Sequence, residues 1–352
     1  MSKTAKATEV RVGQIGFGYW GPNVLRNLVA LPDVRVTWVA ETDPKRAAEA
    51  GRVAAGSRSA SDYHQLLTAD DVDAVVVTAP AAAHFAMARD ALQAGKHVLV
   101  EKPLASTGAE CRELISLAEK AGKVLMVGHT FLYSPPVRQL KGYVDQGTLG
   151  KVLYLYAQRV NLGRVRKDVN ALWNFAPHDV SIISYLLGKE PVSVSARGFD
   201  YVQPGIADVV FMTLVYPENV AAHVHISWLD PLKVRRMTVV GDKQMAVYDD
   251  TSSDAKLAIY DRGVDKLPTP DSPRDFSDFA EFQLKVRSGD VVIPAVDFKE
   301  PLRAECAHFV ECVRTGARPF TDGVHGLGVV AALEAAERSM KNGGAIEAVK
   351  VQ

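Results

Sequence analysis

A lysine in the segment Glu101-Lys102-Pro103 is placed where it can act on a hydroxyl group. The segment follows the apolar run His97–Val100, which is predicted to be a strand. In an open parallel sheet, ligands bind beyond the carboxyl ends of the strands. An ammonium group there could hydrogen-bond a hydroxyl and stabilise the alkoxide that develops as a hydride leaves. The alternative is a surface lysine paired with Glu101.

A histidine later in the chain is a candidate general base. Asn174 and His178 lie near the start of the predicted helix Leu172–Leu187, and their four-residue spacing puts them on one helix face, although Pro177 falls in the first turn. Imidazole suits the removal of a proton from a secondary alcohol because its ordinary pKa lies near neutrality. The alternative is a histidine that only satisfies backbone groups at a helix start.

A glycine-rich segment near the N-terminus predicts a dinucleotide site. It follows the apolar run Val10–Ile15, precedes a helical pattern, and reads Gly16-Phe17-Gly18-Tyr19-Trp20-Gly21. The first glycine allows a tight strand-to-helix turn, the second admits a pyrophosphate, and the third lets the helix pack closely on the sheet. The phosphates would lie at the helix N-terminus. The alternative is a glycine-rich turn without a ligand.

An acidic residue after the second predicted strand favours NAD over NADP. Glu41 stands 25 residues after Gly16, where a carboxylate can accept hydrogen bonds from both ribose hydroxyls and repel a 2′-phosphate. Alternatively, Asp43 caps the next helix and Glu41 is solvated. Lys45 and Arg46 follow closely and could accept a phosphate.

Strand and helix patterns alternate over the first part of the chain. This alternation predicts βαβ units and a parallel sheet. The predicted elements are, in order, Val10–Ile15, Pro22–Leu31, Val34–Ala40, Lys45–Ala54, Ala74–Thr78, Ala81–Ala94, His97–Val100, Thr107–Ala121 and Val124–Val127. We therefore expect one domain over residues 1–128, with helices on both faces of its sheet.

The pattern changes after about residue 150. Consecutive strands with short turns predict a mostly antiparallel sheet in a second domain, residues 129–352, whose last helix packs back on the first domain. The predicted strands are Lys151–Val160, Val192–Gly198, Asp208–Tyr216, Val220–Trp228, Arg235–Gly241 and Met245–Asp249. A surface loop is predicted over Asp261–Ser277, and the predicted helices are Leu172–Leu187, Leu302–Thr315 and Gly323–Asn342.

Composition excludes several functional classes. The 352 residues are 47% hydrophobic and carry no formal net charge, which argues against nucleic acid or an anionic membrane surface as partner. No apolar run has the length of a membrane span, and Met1–Glu9 lacks the apolar core of a signal peptide. The odd number of cysteines argues against a disulfide framework and a zinc site, so we expect no metal and a cytoplasmic location.

These motifs together resemble the Gfo/Idh/MocA oxidoreductase family. They occur in the family's order and spacing, and Glu-Lys-Pro is the most specific of them. The resemblance implies an α/β fold with an N-terminal Rossmann domain and a C-terminal α/β domain with a large, mostly antiparallel open sheet. It also implies NAD as cofactor, a homodimer or homotetramer formed through that sheet, and catalysis by Lys102 and His178. The implied cofactor-binding residues are Gly16–Gly21, Glu41, Thr78, Ala79, Pro80, His84, Glu101, Lys102 and His129.

The sequence departs from many polyol-oxidising relatives in one respect. Those relatives have aspartates where this chain has Asn174 and Ser181, and asparagine can orient a hydroxyl but cannot share its proton. The segment Trp173–Asp179 is more similar to the sugar-nucleotide branch. The resemblance implies NAD-dependent oxidation of a secondary hydroxyl, at C3 of a nucleotide-linked aminosugar. The alternatives are an NAD(P)H-dependent ketosugar reductase, a cyclitol or inositol dehydrogenase, and a non-catalytic dinucleotide-binding regulator.

Several further side chains are weaker candidates. His129 follows the sixth predicted strand and either faces the nicotinamide or caps that strand. Arginines near the loop 161–170 could clamp a substrate diphosphate, or could be solvated. His223 and His225 alternate onto one strand face without a third metal ligand. The candidate substrate-binding residues are Lys102, Arg159, Arg164, Trp173, Asn174 and His178.

Overall fold

The computed structural model of the protein describes residues 9–163, 165–266, 284–297 and 299–351, which form two compact units. The first unit comprises Met1–Ser134, Phe298–Lys341 and Glu347–Gln352, and the second comprises Pro135–Asp297 and Asn342–Ile346. The sequence prediction divided the chain after residue 128 and assigned every later residue to the second domain. It also expected the last helix to pack back on the first domain, and in the structure the segment Phe298–Lys341, which contains that helix, belongs to the first unit.

The strands of the described ranges are mostly short. In chain order they are β1 Val10–Ile15, β2 Val34–Ala40, β3 Arg58–Ala60, β4 Ala74–Val77, β5 His97–Glu101, β6 Leu125–Gly128, β7 Val152–Val160, β8 Ser193–Phe199, β9 Val209–Tyr216, β10 Val220–Ser227, β11 Val234–Gly241, β12 Met245–Asp249, β13 Leu257–Lys266, β14 Leu284–Val292 and β15 Glu347–Ala348.

The helices differ more in length, from a single turn to five turns. They are α1 Gly21–Val29, α2 Pro44–Val53, α3 His64–Leu67, α4 His84–Gln93, α5 Gly108–Ala121, α6 Pro135–Asp145, α7 Ala171–Leu187, α8 Pro301–Thr315 and α9 Gly323–Lys341.

The first unit contains the predicted parallel sheet. Its strand order is β3-β2-β1-β4-β5-β6, and every pair is parallel. All four residues of the inner strand β4 are apolar and buried, as expected for a parallel sheet covered by helices on both faces. The order reverses beside β1, so the carboxyl ends of β1 and β4 open the crevice in which such sheets bind ligands.

Local sequence accounts for the ends of the helices. Thr107 and Glu110 form a capping box at the start of α5, and Gly122 ends that helix with φ of +60°. Glu334 of α9 accepts a hydrogen bond of 3.1 Å from the N–H of Gly108, the first residue of α5. This contact helps to explain why α9 belongs with the first unit.

Two C-terminal segments complete the first unit. Small residues allow α9 to approach β6 closely, since a Cβ at Gly326 would lie 2.8 Å from a methyl carbon of Val127. The N–H of Val127 donates to the carbonyl oxygen of Thr321 at 2.7 Å. The sheet edge at β6 is therefore covered by chain from far along the sequence.

The second unit is built on a mixed sheet with the order β14-β13-β12-β11-β7-β10-β9-β8. Neighbours are antiparallel except for β7 and β10, which are parallel. The prediction of a mostly antiparallel second sheet is thus confirmed. The loop predicted over Asp261–Ser277 is wrong for its first six residues, because β13 continues through Lys266 and pairs with β14. The remainder of that loop lies outside the described residues.

Candidate active site

The glycine turn between β1 and α1 has the geometry that a pyrophosphate site requires. Gly16 has φ of +92°, and a Cβ there would lie 3.0 Å from the backbone of Ala79. A Cβ at Gly21 would lie 2.9 Å from the carbonyl oxygen of Gly16, whereas the nearest atom at Gly18 would be 3.9 Å away. A side chain at Gly16 or Gly21 would therefore clash with the protein's own backbone. At Gly18 there is open space, so a phosphate can approach the backbone closely.

The start of α1 is suited to an anion. Trp20 occupies the cap position and its side chain makes no capping hydrogen bond to the helix, while Tyr19 beside it is 88% exposed. The first N–H groups and the helix dipole therefore favour negative charge at this end. The residues present fit the diphosphate of a dinucleotide.

Sequence reasoning missed one side chain that shapes this turn. The amide nitrogen of Gln14 donates to the carbonyl oxygens of Gly16 and Gly21 at 2.9 and 3.0 Å. The hydroxyl of Thr78, a predicted cofactor residue, donates to the same oxygen of Gly16 at 2.7 Å. The sequence signal was a polar residue, Gln14, within a predicted strand, and the structure shows that this residue is fully buried and hydrogen-bonded.

Glu41 joins the end of β2 to the glycine turn. Its carboxylate is buried and accepts hydrogen bonds from the N–H of Phe17 at 2.7 Å and of Asp43 at 2.9 Å. The Thr42 hydroxyl lies 3.4 Å from the same oxygen as the Asp43 N–H, so the oxygen that accepts from Phe17 is the one with a lone pair left for another donor, such as a ribose hydroxyl. The guanidinium of Arg46, on α2, lies 3.7 Å from the Glu41 carboxylate and 3.7 Å from that of Asp43. Both acidic side chains therefore attract this arginine.

His84, predicted to contact the cofactor, is an interior residue. Its ring nitrogens lie 2.7 Å from the carbonyl oxygen of Pro103 and 3.0 Å from that of Ala79. Burial lowers its pKa, so the imidazole is neutral and donates to one carbonyl at a time. His84 therefore ties the turn after β4, which contains Pro80, to the turn after β5.

Glu101 and Lys102 stand at the carboxyl end of β5, as predicted. Lys102 is partly exposed and has polar interactions within the protein. Burial raises the pKa of Glu101 to about 7, against the opposing effects of the Lys102 charge and a hydrogen bond from the Trp20 side chain. The lysine thus lies at the ligand-binding edge of the sheet, and Glu101 contacts the glycine turn.

His129, the other predicted cofactor residue, is buried behind this edge. Its ring meets that of His325 edge-on, with 5.1 Å between centroids, and burial holds its pKa well below the usual range. Nearby, Glu305 of α8 accepts a hydrogen bond of 2.8 Å from Thr130. Burial and the charge of Glu101 raise the pKa of Glu305 well above its usual range. No sequence feature other than a helical pattern pointed to Glu305.

In the second unit, α7 presents the predicted catalytic histidine. Asn170 caps the helix by accepting a hydrogen bond of 3.1 Å from the N–H of Trp173. Trp173, Asn174 and His178 are partly exposed, whereas Pro177 is buried. Ser181 donates its hydroxyl to the carbonyl oxygen of His178 at 2.8 Å.

The predicted contact between Arg159 and a substrate phosphate is not supported by the structure. Arg159 is 4% exposed, and its guanidinium donates to both carboxylate oxygens of Asp179 at 2.7 and 3.1 Å. The guanidinium N–H groups that would bind a substrate phosphate already donate to the buried carboxylate of Asp179. Arg164, the other candidate, lies outside the described residues.

No metal site was found where the structure describes the chain, in the sense of three or more histidine, cysteine or acidic side chains able to hold an ion. His223 bonds Thr213 at 3.1 Å, and His225 stacks on Phe211 with 4.6 Å between ring centroids. Both histidines are therefore sheet residues. Among the described helices, none has the length and apolarity needed to cross a bilayer.

Comparison with known families decides the class of this protein. Residues 10–129 match the model described as "Oxidoreductase family, NAD-binding Rossmann fold", and residues 137–247 match the Gfo/Idh/MocA C-terminal domain. The chain belongs to the Gfo/Idh/MocA family. It is therefore an oxidoreductase with an NAD-binding domain, and the expected fold, enzyme class and cofactor are confirmed.

Individual Gfo/Idh/MocA relatives agree on the fold and differ in their named substrates. UDP-N-acetylglucosamine 3-dehydrogenase from Acidithiobacillus ferrooxidans is 29% identical over 92% of this chain and 95% of its own length. Inositol 2-dehydrogenase 2 from Saccharopolyspora erythraea is 33% identical, over 62% of this chain and 66% of its own length. A solved structure of a Magnetospirillum magnetotacticum protein is 30% identical with a TM-score of 0.77, covering 93% of this chain and 99% of that one.

Proposed function

We propose that this protein oxidises a secondary hydroxyl of a sugar, at C3 of a nucleotide-linked aminosugar, with NAD as the hydride acceptor. An imidazole nitrogen of His178 takes the hydroxyl proton. The Lys102 ammonium hydrogen-bonds the same oxygen and stabilises the negative charge that develops on it. Asn174, on the exposed face of α7 that carries His178, orients the substrate through its amide.

The proposed substrate class depends on two side chains of α7. A polyol oxidase of the aspartate type needs carboxylates at two positions of this helix where the chain has none: Asn174 is an amide, and the Ser181 hydroxyl donates to the backbone. Proton removal therefore depends on His178 without an acidic neighbour at these two positions. The alignment with UDP-N-acetylglucosamine 3-dehydrogenase over nearly the full chain supports the same choice. Inositol oxidation is the second candidate, because an inositol dehydrogenase is 33% identical over part of the chain.

A substrate panel tests this function. The purified protein is mixed with NAD+ and UDP-N-acetylglucosamine, myo-inositol or glucose, and NADH formation is followed by absorbance. We expect kcat/KM for the sugar nucleotide to exceed that for myo-inositol at least about a hundredfold. Deuterium at C3 should transfer to NADH, which mass spectrometry detects. Preference for myo-inositol, or label retained at C3, contradicts the proposal.

Replacing Glu41 should change the choice of cofactor. In Glu41→Ala the carboxylate that would repel a 2′-phosphate is gone, and Arg46 becomes available to bind it. We expect the ratio of kcat/KM for NAD+ to that for NADP+ to fall by about 10- to 100-fold, roughly 1.4–2.7 kcal/mol. The double variant Glu41→Ala/Arg46→Ala is the control and should lose any gain with NADP+. An unchanged ratio in the single variant contradicts the role of Glu41.

We also propose that copies of the chain associate through the exposed face of the second sheet. Tyr154 and Tyr156 of β7 and Phe211 of β9 are each more than 40% exposed, and Tyr156 is in register with His223 of β10. Paired residues share a face, so these rings lie on one exposed face of the sheet together with His223 and His225, and exposed aromatic rings favour self-association. Light scattering should show a dimer or tetramer that Tyr156→Lys/Phe211→Lys dissociates, whereas Val53→Lys on α2 should not. A monomeric wild-type protein contradicts the proposal.

A further inference from the structure

Two carboxyl groups lie close to the same short segment of the first unit. Glu101 is in register with Gly128, and a Cβ at Gly128 would lie 3.1 Å from Glu101 Oε1. Two residues later, the Thr130 hydroxyl donates to Glu305 Oε2 at 2.8 Å. The charge of Glu101 acts directly on Glu305. We call Glu101 and Glu305 the strand-end carboxyl pair.

Glu305 is poorly placed to be an anion. It is 1% exposed, and within the described residues Thr130 is its hydrogen-bond donor while Oε1 has no partner. An ionised buried carboxylate needs several donors or a cation, whereas a protonated one needs far less. A second negative charge beside Glu101 adds to the cost. The two carboxyl groups therefore cannot both ionise readily.

The surrounding groups do not neutralise Glu305. Burial lowers the pKa of His129 and of His325, so neither imidazole supplies a positive charge near neutral pH. Burial also raises the pKa of the Cys306 thiol, which stays neutral. The charge of Lys102 lowers the pKa of Glu101 and of His129. The titratable groups around the pair are Lys102, His129, Glu300, Cys306 and His325.

Glu101 in turn contacts the cofactor-binding turn. The Trp20 side chain, which belongs to the glycine turn, donates a hydrogen bond to Glu101. Glu101 also ends β5, at the edge where open sheets bind ligands. The carboxyl pair therefore lies next to the dinucleotide site. Because its surroundings are buried and screen charge weakly, a change in the charge of the pair alters the electrostatic potential at the bound cofactor.

We propose that Glu101 and Glu305 share one proton near neutral pH, and that this proton links cofactor affinity to the cofactor's oxidation state. The singly protonated pair carries one negative charge, which favours the cationic nicotinamide of NAD+ over the neutral ring of NADH. Loss of the shared proton adds a second negative charge and strengthens that preference. This inference rests on NAD binding by the first unit, and it is independent of the proposed substrate.

Binding titrations of the full chain test the proposal. Kd for NAD+ and for NADH is measured by calorimetry from about pH 6 to about pH 9, where one linked proton changes the ratio of the two constants by up to about tenfold per pH unit. In the wild type, we expect Kd for NADH divided by Kd for NAD+ to rise with pH. Glu305→Gln keeps the shape of the side chain and leaves Glu101 as the carboxyl of the pair that titrates. Its ratio should therefore level off above about pH 7, where the wild-type ratio continues to rise. The control is Glu311→Gln, an exposed glutamate on the same helix, which should behave as the wild type.

Two outcomes would overturn the proposal. The first is a Glu305→Gln protein whose ratio follows the wild-type pH dependence. The second needs no variant, so it holds even if Glu305→Gln does not fold. Wild-type titrations in buffers of different ionisation enthalpy give the protons exchanged on binding, and equal numbers for NAD+ and NADH would exclude the linkage. Inactivity toward UDP-N-acetylglucosamine affects the proposed function only.

The same pair should make stability depend on pH in a defined direction. The folded protein holds a proton on Glu305 that the unfolded chain releases above its ordinary pKa of 4.5. Because the folded state binds more protons, the contribution of Glu305 to the free energy of unfolding is greatest below a pH of 4.5. That contribution falls as pH rises toward the raised pKa. Glu305→Gln removes this fall, so its Tm should decline less than that of the wild type from about pH 5 to about pH 8. Parallel curves would contradict a protonated Glu305.

Discussion

Lys102→Ala should lower kcat/KM by about 10²–10⁴-fold, and His178→Ala should lower it by a similar factor. The first variant removes the charge that stabilises the developing alkoxide, and the second removes the proton acceptor. Steady-state kinetics with NAD+ and the best substrate of the panel measure both effects. NADH binding by His178→Ala should stay near the wild-type value, because His178 lies in the second unit, outside the NAD-binding domain.

Matched controls separate chemistry from folding. Lys120→Ala on the exposed side of α5 and His64→Ala on α3 change the same residue types away from the predicted site, and each should keep near wild-type turnover. Substitutions of groups that act on one hydroxyl have strongly non-additive effects on rate. The double variant Lys102→Ala/His178→Ala should therefore have a kcat/KM only slightly below that of the less active single variant. Near wild-type activity in both single variants, with intact folding, would refute the assignment.

Asp179→Ala should destabilise the second unit by about 3–5 kcal/mol. The side chains of Asp179 and Arg159 are each about 5% exposed and form a bidentate ion pair between α7 and β7. Removing one partner leaves the Arg159 charge buried without its carboxylate, and restoring its hydration requires opening the unit. Urea unfolding followed by the fluorescence of Trp173 and Trp228, which lie in this unit, reports the loss.

An exposed ion pair provides the comparison. Lys189 and Glu218 form a pair with side chains 42% and 63% exposed. Glu218→Ala should therefore change stability by no more than about 1 kcal/mol. Replacing both buried partners, as in Arg159→Met/Asp179→Leu, should recover much of the stability lost in Asp179→Ala, because no unpaired charge remains. Equal effects of Asp179→Ala and Glu218→Ala would show that burial does not determine the value of the Arg159 pair.

Much of the fold could be predicted because local patterns determine it. The ends of Val10–Ile15, Val34–Ala40 and Met245–Asp249 agree with the structure at both residues, since each is a short stretch in which apolar residues predominate, next to turn-forming or polar residues. The continuation of β13 was missed because Asp261–Lys266 is polar and pairs with a strand that begins at Leu284. Pairing of that kind depends on distant chain, which no local pattern reports.

The candidate site shows the same limit. Motif spacing placed the glycine turn and Lys102 at the ends of two strands, and it placed His178 on the helix α7. Sequence alone did not show that Arg159 is used by Asp179, since the partner is 20 residues away and on another element. It also gave no reason to place Glu305, 204 residues from Glu101, beside the same strand end.

The return of α8 and α9 to the first unit has a consequence for protein synthesis. About 160 residues of the second unit are translated between Ser134 and the start of α8. At about 5–20 residues per second, the ribosome needs roughly 8–30 s for that stretch. For that time the nascent β6 edge has neither Thr321 nor α9 against it, although both cover it in the finished protein. A chaperone that binds exposed apolar strands would therefore meet this edge during translation and not afterwards.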